Sequence, residues 1–213
     1  MTWKIALFAA LGVLIAETSS AEDWPSSKFR IEGTTLIYDT EIASGDEASS
    51  IVPRDADILL DLLRANVGIK TLQLNSGGGQ VWAAQKMSDT IIDFGLDTHI
   101  HGDCDSSCVT IFLGGAKRSM SRGSRIGFHQ IYWNAGSIEG YYDREREDNG
   151  WDTPFDFASW MYLDTQDEIY AHLKYMISRG VDPAFAIETI QKPSNGMWRP
   201  YRVILRGMGV LTE

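Results

Sequence analysis

The stretch IKTLQLNSGGGQVWAAQKMSDTI, residues 69–91, changes its repeat halfway along. IKTLQLN reads as a short strand, cut off by SGGG at 76–79; beyond it Val81, Ala84, Met87 and Ile91 recur at helical spacing, and Gly95 is placed to cap the helix. Strand, glycine turn and helix in direct succession are the repeating unit of a layered α/β domain. The flanks continue the alternation. On the N-terminal side, KFRIEGTTLIYDTEI (28–42) has the period of a strand or hairpin, GDEASS is a polar loop, and RDADILLDLLRA (54–65) puts Ile58, Leu59, Leu62 and Leu63 on one helical face behind Pro53. On the other side, DTHIH (97–101) is a strand, residues 106–113 a short apolar helix, and RIGF (125–128) a strand ending at His129. Short connections and this order predict parallel strands.

Residues 130–152 show no clear period and carry six acids and two bases from Glu139 to Asp152, which predicts an exposed loop. Thr153-Pro154 then opens a long helix to about Ser178, with Phe157, Trp160, Ile169, Leu173 and Met176 as its apolar contacts and Gly180 as its stop. PAFAIETIQ and the segment from NGMWRP onward predict a further helix and a final packed segment.

The first 21 residues have the form of a secretory signal peptide: a charged end, the apolar run Ile5 to Ala16, and Ser19 and Ala21 before a cut that leaves Glu22 first. That run is too short to span a bilayer. The expectation is an exported, periplasmic or secreted protein whose residues 22–213 form one domain. Loss of the leader removes one Lys and one Glu, so the net charge stays at −10. This balance argues against nucleic acid or anionic lipid as partners.

The chain's only two cysteines, Cys104 and Cys108, bracket Ser106-Ser107. A serine at a helix start has the next residue's free amide and the helix dipole beside it, and a glycine turn lets backbone amides approach a substrate closely. Acyl transfer needs these donors and a base to take the hydroxyl proton. Gly78 and Ser107 are the candidate amides of an oxyanion hole, and His129 the candidate base. Taken singly, each has an ordinary explanation: a flexible turn, a helix cap, and a strand-end histidine with a satisfied hydrogen bond.

Taken in order, LNSGGGQVWAAQKMSDTI (74–91), HGDCDSSCVTIFLGGAKR (101–118) and RIGFHQ (125–130) resemble the proteolytic subunit of the Clp protease and its relatives in the crotonase-like superfamily. In that family a strand ending in Asn-Ser-Pro-Gly-Gly precedes a helix, a Gly-x-x-x-Ser turn carries the nucleophile, and a histidine at an "xHQ" strand end is the base. Here Gly102 lies four residues before Ser106, Gly115-Ala116 follows nine after it, and His129-Gln130 ends the strand. The resemblance implies an α/β fold of the crotonase-like (ClpP-type) layered ββα superhelix with a long C-terminal helix. It also implies a serine peptidase with Ser106 as nucleophile, peptides or unfolded proteins as substrates, no cofactor, and assembly into a homo-oligomer. The chain departs from the pattern at three places: Gly77 stands where the family has proline, the cysteines are additional, and no Asp occurs near AIETIQKPSNG (186–196), where the family has its triad aspartate. Glu188 and Asn195 are the candidates there.

Export places the cysteines in an oxidising compartment, where a bridge across the bend at the helix start would pin the serine turn. Two buried thiols are the alternative. His99, His101 and Asp103 share a strand face and suggest a metal site less readily than a partly exposed surface; His172, inside the long helix, reads as structural. The chain contains no ATPase motif. Two other functions compete with an ATP-independent peptidase: a non-catalytic peptide-binding protein that keeps the fold, and an acyl-thioester enzyme, which would not need the Ser-His pair.

Overall fold

The computed structural model describes residues 25–193 and 196–213, so the leader, Ser194 and Asn195 lie outside the described residues. Strands β1 (Phe29–Glu32) and β2 (Thr35–Asp39) form the antiparallel hairpin the alternation predicts. The later pairings between strands are parallel: β2 with β3 (Thr71–Ser76), β3 with β4 (Asp97–Asp105), and β4 with both β5 (Arg118–Met120) and β6 (Arg125–Gly127), while an isolated antiparallel bridge joins Phe128 to Trp198. The sheet runs β1-β2-β3-β4-β5, with β6 beside β4 further along the same strand. The long strand β4 therefore carries β5 against Thr98–Ile100 and β6 against Asp103–Asp105.

Between strands lie α1 (Pro53–Ala65), α2 (Val81–Phe94) and α3 (Cys108–Leu113); α1 packs on α2 and α2 on α3. They bury nearly all of the faces their spacing predicts: Ile58, Leu59, Leu62 and Leu63 on α1, Ala84, Met87 and Ile91 on α2, where Val81 is only half-buried, while α3 is buried throughout. Gly95 ends α2 in the left-handed region, at φ 63°. A buried ion pair, Lys28 Nζ to Asp55 Oδ2 at 2.7 Å, ties β1 to the start of α1. The same carboxylate oxygen accepts from Tyr38 Oη and the Val52 amide, so the charge is surrounded by donors and not stranded.

One sequence expectation is overturned. Within the predicted loop, Ala135–Asn149 is a helix, α4, capped by Asn134 Oδ1 on the Ser137 amide and ended by Gly150 at φ 67°. None of its residues is fully buried, and its apolar face is limited to the half-buried Ile138, Tyr141 and Tyr142, too short to stand out as a hydrophobic repeat. Helix α5 (Pro154–Ser178) begins with the reciprocal Thr153–Asp156 capping box. An aromatic cluster joins the pair: Tyr141 stacks on Trp160, while Trp151 and Phe157 pack beside them. Helices α6 (Pro183–Thr189) and α7 (Arg202–Gly207) complete the chain, and among the described residues no helix is long and apolar enough to cross a membrane.

Candidate active site

Parallel register brings the distant motifs together. β4 and β6 align Asp105 with Gly127, so the next residues out, Ser106 and Phe128, leave the sheet side by side, and His129 follows one residue later. The Ser106 amide donates to Gly127 O at 2.9 Å, which fixes the two strand ends to each other. On the other flank β3 pairs Ser76 with Cys104 across an irregular register, setting the glycine turn against the serine turn.

Ser106 is the only residue other than glycine with positive φ among the described residues, at 57°. A side chain in that region costs about 1–2 kcal/mol, and such strain persists where the surroundings over-determine it. The surroundings here are tight. A Cβ on Gly78, itself at φ 100°, would lie 2.8 Å from both Asp105 O and Ser106 Cβ, so only glycine fits. The strained turn lifts the Ser106 hydroxyl out of the sheet between β4 and α3, partly exposed and with no hydrogen-bond partner among the described residues.

Ser107 behaves differently. It is buried, and its hydroxyl holds Gly79, accepting from the amide at 2.8 Å and lying 3.1 Å from the carbonyl. Its own amide, at the start of α3, donates to no group among the described residues. The Gly78 amide, expected to face the serine, donates instead to Ser76 Oγ at 3.1 Å. A serine hydroxyl commonly captures the amide two residues on in this way. The glycine turn is further tied to Ile51, whose amide donates to Gly78 O and whose carbonyl accepts from Gln80, both at 2.9 Å.

Ser106, His129, Gly78 and Ser107 all line one open cleft of about 920 Å³. Its other walls come from Trp82, Phe128, Tyr132 and Trp133, from Tyr141 and Arg144 of α4, and from Glu168 and His172 of α5. The His129 ring is held through Nδ1, 2.6 Å from Gln130 O. A carbonyl can only accept, so this bond puts a proton on Nδ1, and in the neutral tautomer it selects Nε2 carries the lone pair.

Among solved structures, the chain is similar to an Asn-to-Asp mutant of ClpP1 from Listeria monocytogenes, with a TM-score of 0.54 and 16% identity over 77% of this chain and 85% of that one. The fold is ClpP-like. No protein-family model matches the chain, and no curated protein matches it.

Within this ClpP-like frame the remaining sequence candidates separate. Cys104, in β4, and Cys108, the first residue of α3, are disulfide-bonded with α-carbons 5.3 Å apart, bridging the strand-to-helix bend that contains both serines. Glu188 does not line the cleft; its ion-pair partner is Lys192, at 4.0 Å. Asn195 lies outside the described residues. His99 has one ring nitrogen 2.8 Å from Ser119 Oγ and the other 2.9 Å from Ser121 Oγ, and Asp103 pairs with Arg125, so these residues are occupied with one another's strands.

Three residues near the serine turn and cleft are not expected there from sequence: Glu168 and Asp105 are not singled out by it, and His172 reads as structural. His172 and Glu168 face the cleft from α5, although nothing in a long helix's sequence says which neighbour it will border. Asp105, adjacent to Ser106, is buried and ion-paired with Arg199. Burial pushes its carboxyl above the usual range against the pull of Arg199, and Oδ1 is left without a partner.

Proposed function

We propose that the protein is an exported serine hydrolase, a peptidase that works without ATP. The carrying observation is the strained Ser106 at the head of α3, opening into the cleft that also takes His129. Strain at a strand-to-helix serine is the device by which such a hydroxyl is presented clear of its sheet. In the proposed reaction Ser106 Oγ attacks a peptide carbonyl while His129 Nε2 takes the hydroxyl proton. The Nδ1–H bond to Gln130 O holds the tautomer, the orienting part of the work a triad aspartate performs. The oxyanion is received by the Ser107 amide, with the dipole of the short helix behind it. The second donor is assigned to Gly78, whose amide exchanges Ser76 Oγ for the oxyanion. His129 then gives its proton to the leaving amine, and water releases the acyl group by the reverse sequence. A carbonyl orients the ring without supplying a negative charge opposite the imidazolium, and loss of that charge has cost about 10⁴ in turnover elsewhere. Slow turnover on short or unfolded chains is expected.

Two further features support the reading as a whole. A leader-like N-terminal sequence and a cystine both suit an oxidising compartment outside the cytoplasm. Phe155, Tyr162, Leu163 and Tyr170 of α5 are each more than half exposed, a surface suited to self-association.

Hydrolysis of a panel of unstructured peptides by the parent, Ser106→Ala and His129→Ala proteins tests the proposal: cleavage is expected of the parent alone. The competing reading, a non-catalytic peptide-binding protein, draws on the lack of a carboxylate at the His129 ring among the described residues. It predicts equal peptide binding by all three proteins and cleavage by none.

A further inference from the structure

Beside the cleft, and sharing residues with it, lies a smaller cavity of about 250 Å³. Its walls are largely apolar or aromatic: Ile131, Tyr132 and Trp133 after His129, Ile138 of α4, Met161 and Ile169 of α5. Glu168 lines both cavities and is the sole carboxylate in either. Among the described residues it has no hydrogen-bond or ion-pair partner within reach. Glu168 is half-buried, and a partly desolvated carboxylate without a partner gains when a cation arrives.

The groups around it leave this role open. Burial raises the Glu168 carboxyl above its usual range, and the like charge of Asp164, one turn earlier on α5, adds to it. His172, one turn later, is pushed down by burial and so stays uncharged near neutrality. Arg144 lines the main cleft but lies against its own helix, 4.0 Å from Glu145 and over the Tyr141 ring. His129 is committed through Nδ1 to Gln130 O.

We infer that Glu168 and the aromatic cavity beside it form a subsite for a lysine or arginine side chain of the peptide held in the cleft. The apolar walls take the aliphatic stem, Tyr132 and Trp133 offer ring faces to the cation, and Glu168 receives its charged head. The net charge of −10 draws such peptides in. This subsite deepens the peptidase reading and rests on it only for the peptide's being cut.

The test separates the two. Binding is measured by titration calorimetry on the Ser106→Ala protein, with an unstructured peptide carrying one central lysine and the same peptide carrying norleucine. The lysine peptide is expected to bind about tenfold more tightly, the usual worth of a charged hydrogen bond. Adding Glu168→Gln is expected to abolish the difference, and adding Glu168→Lys to reverse it in favour of a glutamate peptide. Circular dichroism checks folding, and Glu168→Gln is expected to melt no lower than its parent because a half-buried charge without a partner has been removed. Equal binding of the two peptides, a lysine preference that survives Glu168→Gln, or binding of neither peptide overturns the subsite. Hydrolysis by the parent protein is scored apart: a lysine preference without cleavage leaves the subsite standing and removes the peptidase.

Discussion

Ser106 and Ser107 are neighbours in sequence and opposites in structure. One hydroxyl is exposed and unpartnered on a strained backbone; the other is buried and holds Gly79. Ser107→Ala should therefore keep a reactive Ser106 while losing a buried hydrogen bond, at about 1–2 kcal/mol by chemical denaturation. Gly78→Ala should be worse, since its added methyl meets Asp105 O and Ser106 Cβ at 2.8 Å on a backbone at φ 100°. A loss of about 2–3 kcal/mol is expected, with failure of peptide cleavage. A Gly78→Ala protein that melts with the parent would show that the two turns do not press together. The sequence made the Ser106, Ser107 and His129 assignments possible because each sits where a period ends. It could not show that Ser76 would take the Gly78 amide, since a one-hydrogen-bond choice inside a turn leaves no periodic trace.

At the scale of elements, the serine turn is built by β4, which is flanked on one side by β3 with its glycine turn and on the other by β6 with its histidine. The cystine closes only a few residues across the bend, so the chain entropy it removes is small. Replacing both cysteines by alanine should cost about 2 kcal/mol, which scanning calorimetry would record as a fall of roughly 5 °C. An unchanged melting temperature would deny the bridge a structural role. The Lys28–Asp55 pair holds α1 and the Ile51 segment that backs the glycine turn. Lys28→Met leaves the Asp55 carboxylate buried without its cation and should destabilise by about 3–5 kcal/mol. Strands β3 and β4 and helices α1, α2 and α5 were readable from sequence because each buries a periodic face or carries a cap. Helix α4 and the three-residue β5 were not: one buries no residue fully, and the other is too short to repeat.

For the molecule as a whole, the hairpin, the parallel sheet and the helical pair α4–α5 leave one large cleft where β4 and β6 end, in keeping with a ClpP-like fold. Its stability should depend on pH through histidines held uncharged. Burial, with His101 and Arg202 nearby, keeps His99 below the usual imidazole range, and burial does the same for His172. The unfolded chain takes up these protons near pH 6.5 and the native chain only at lower pH. The unfolded state thus binds more protons in that window, so stability falls as pH drops below about 6.5. His99→Gln should flatten part of that fall; melting curves that stay parallel between pH 7 and 5 would rule the contribution out.

In the proposed function, folding makes one hydroxyl of this chain a nucleophile. Its most direct measurement is mass mapping of the protein after treatment with a fluorophosphonate. A single adduct on Ser106 is expected, present in the parent and in Ser107→Ala, and absent from Ser106→Ala. A folded parent that takes no label, or that carries it on Ser107, would contradict it.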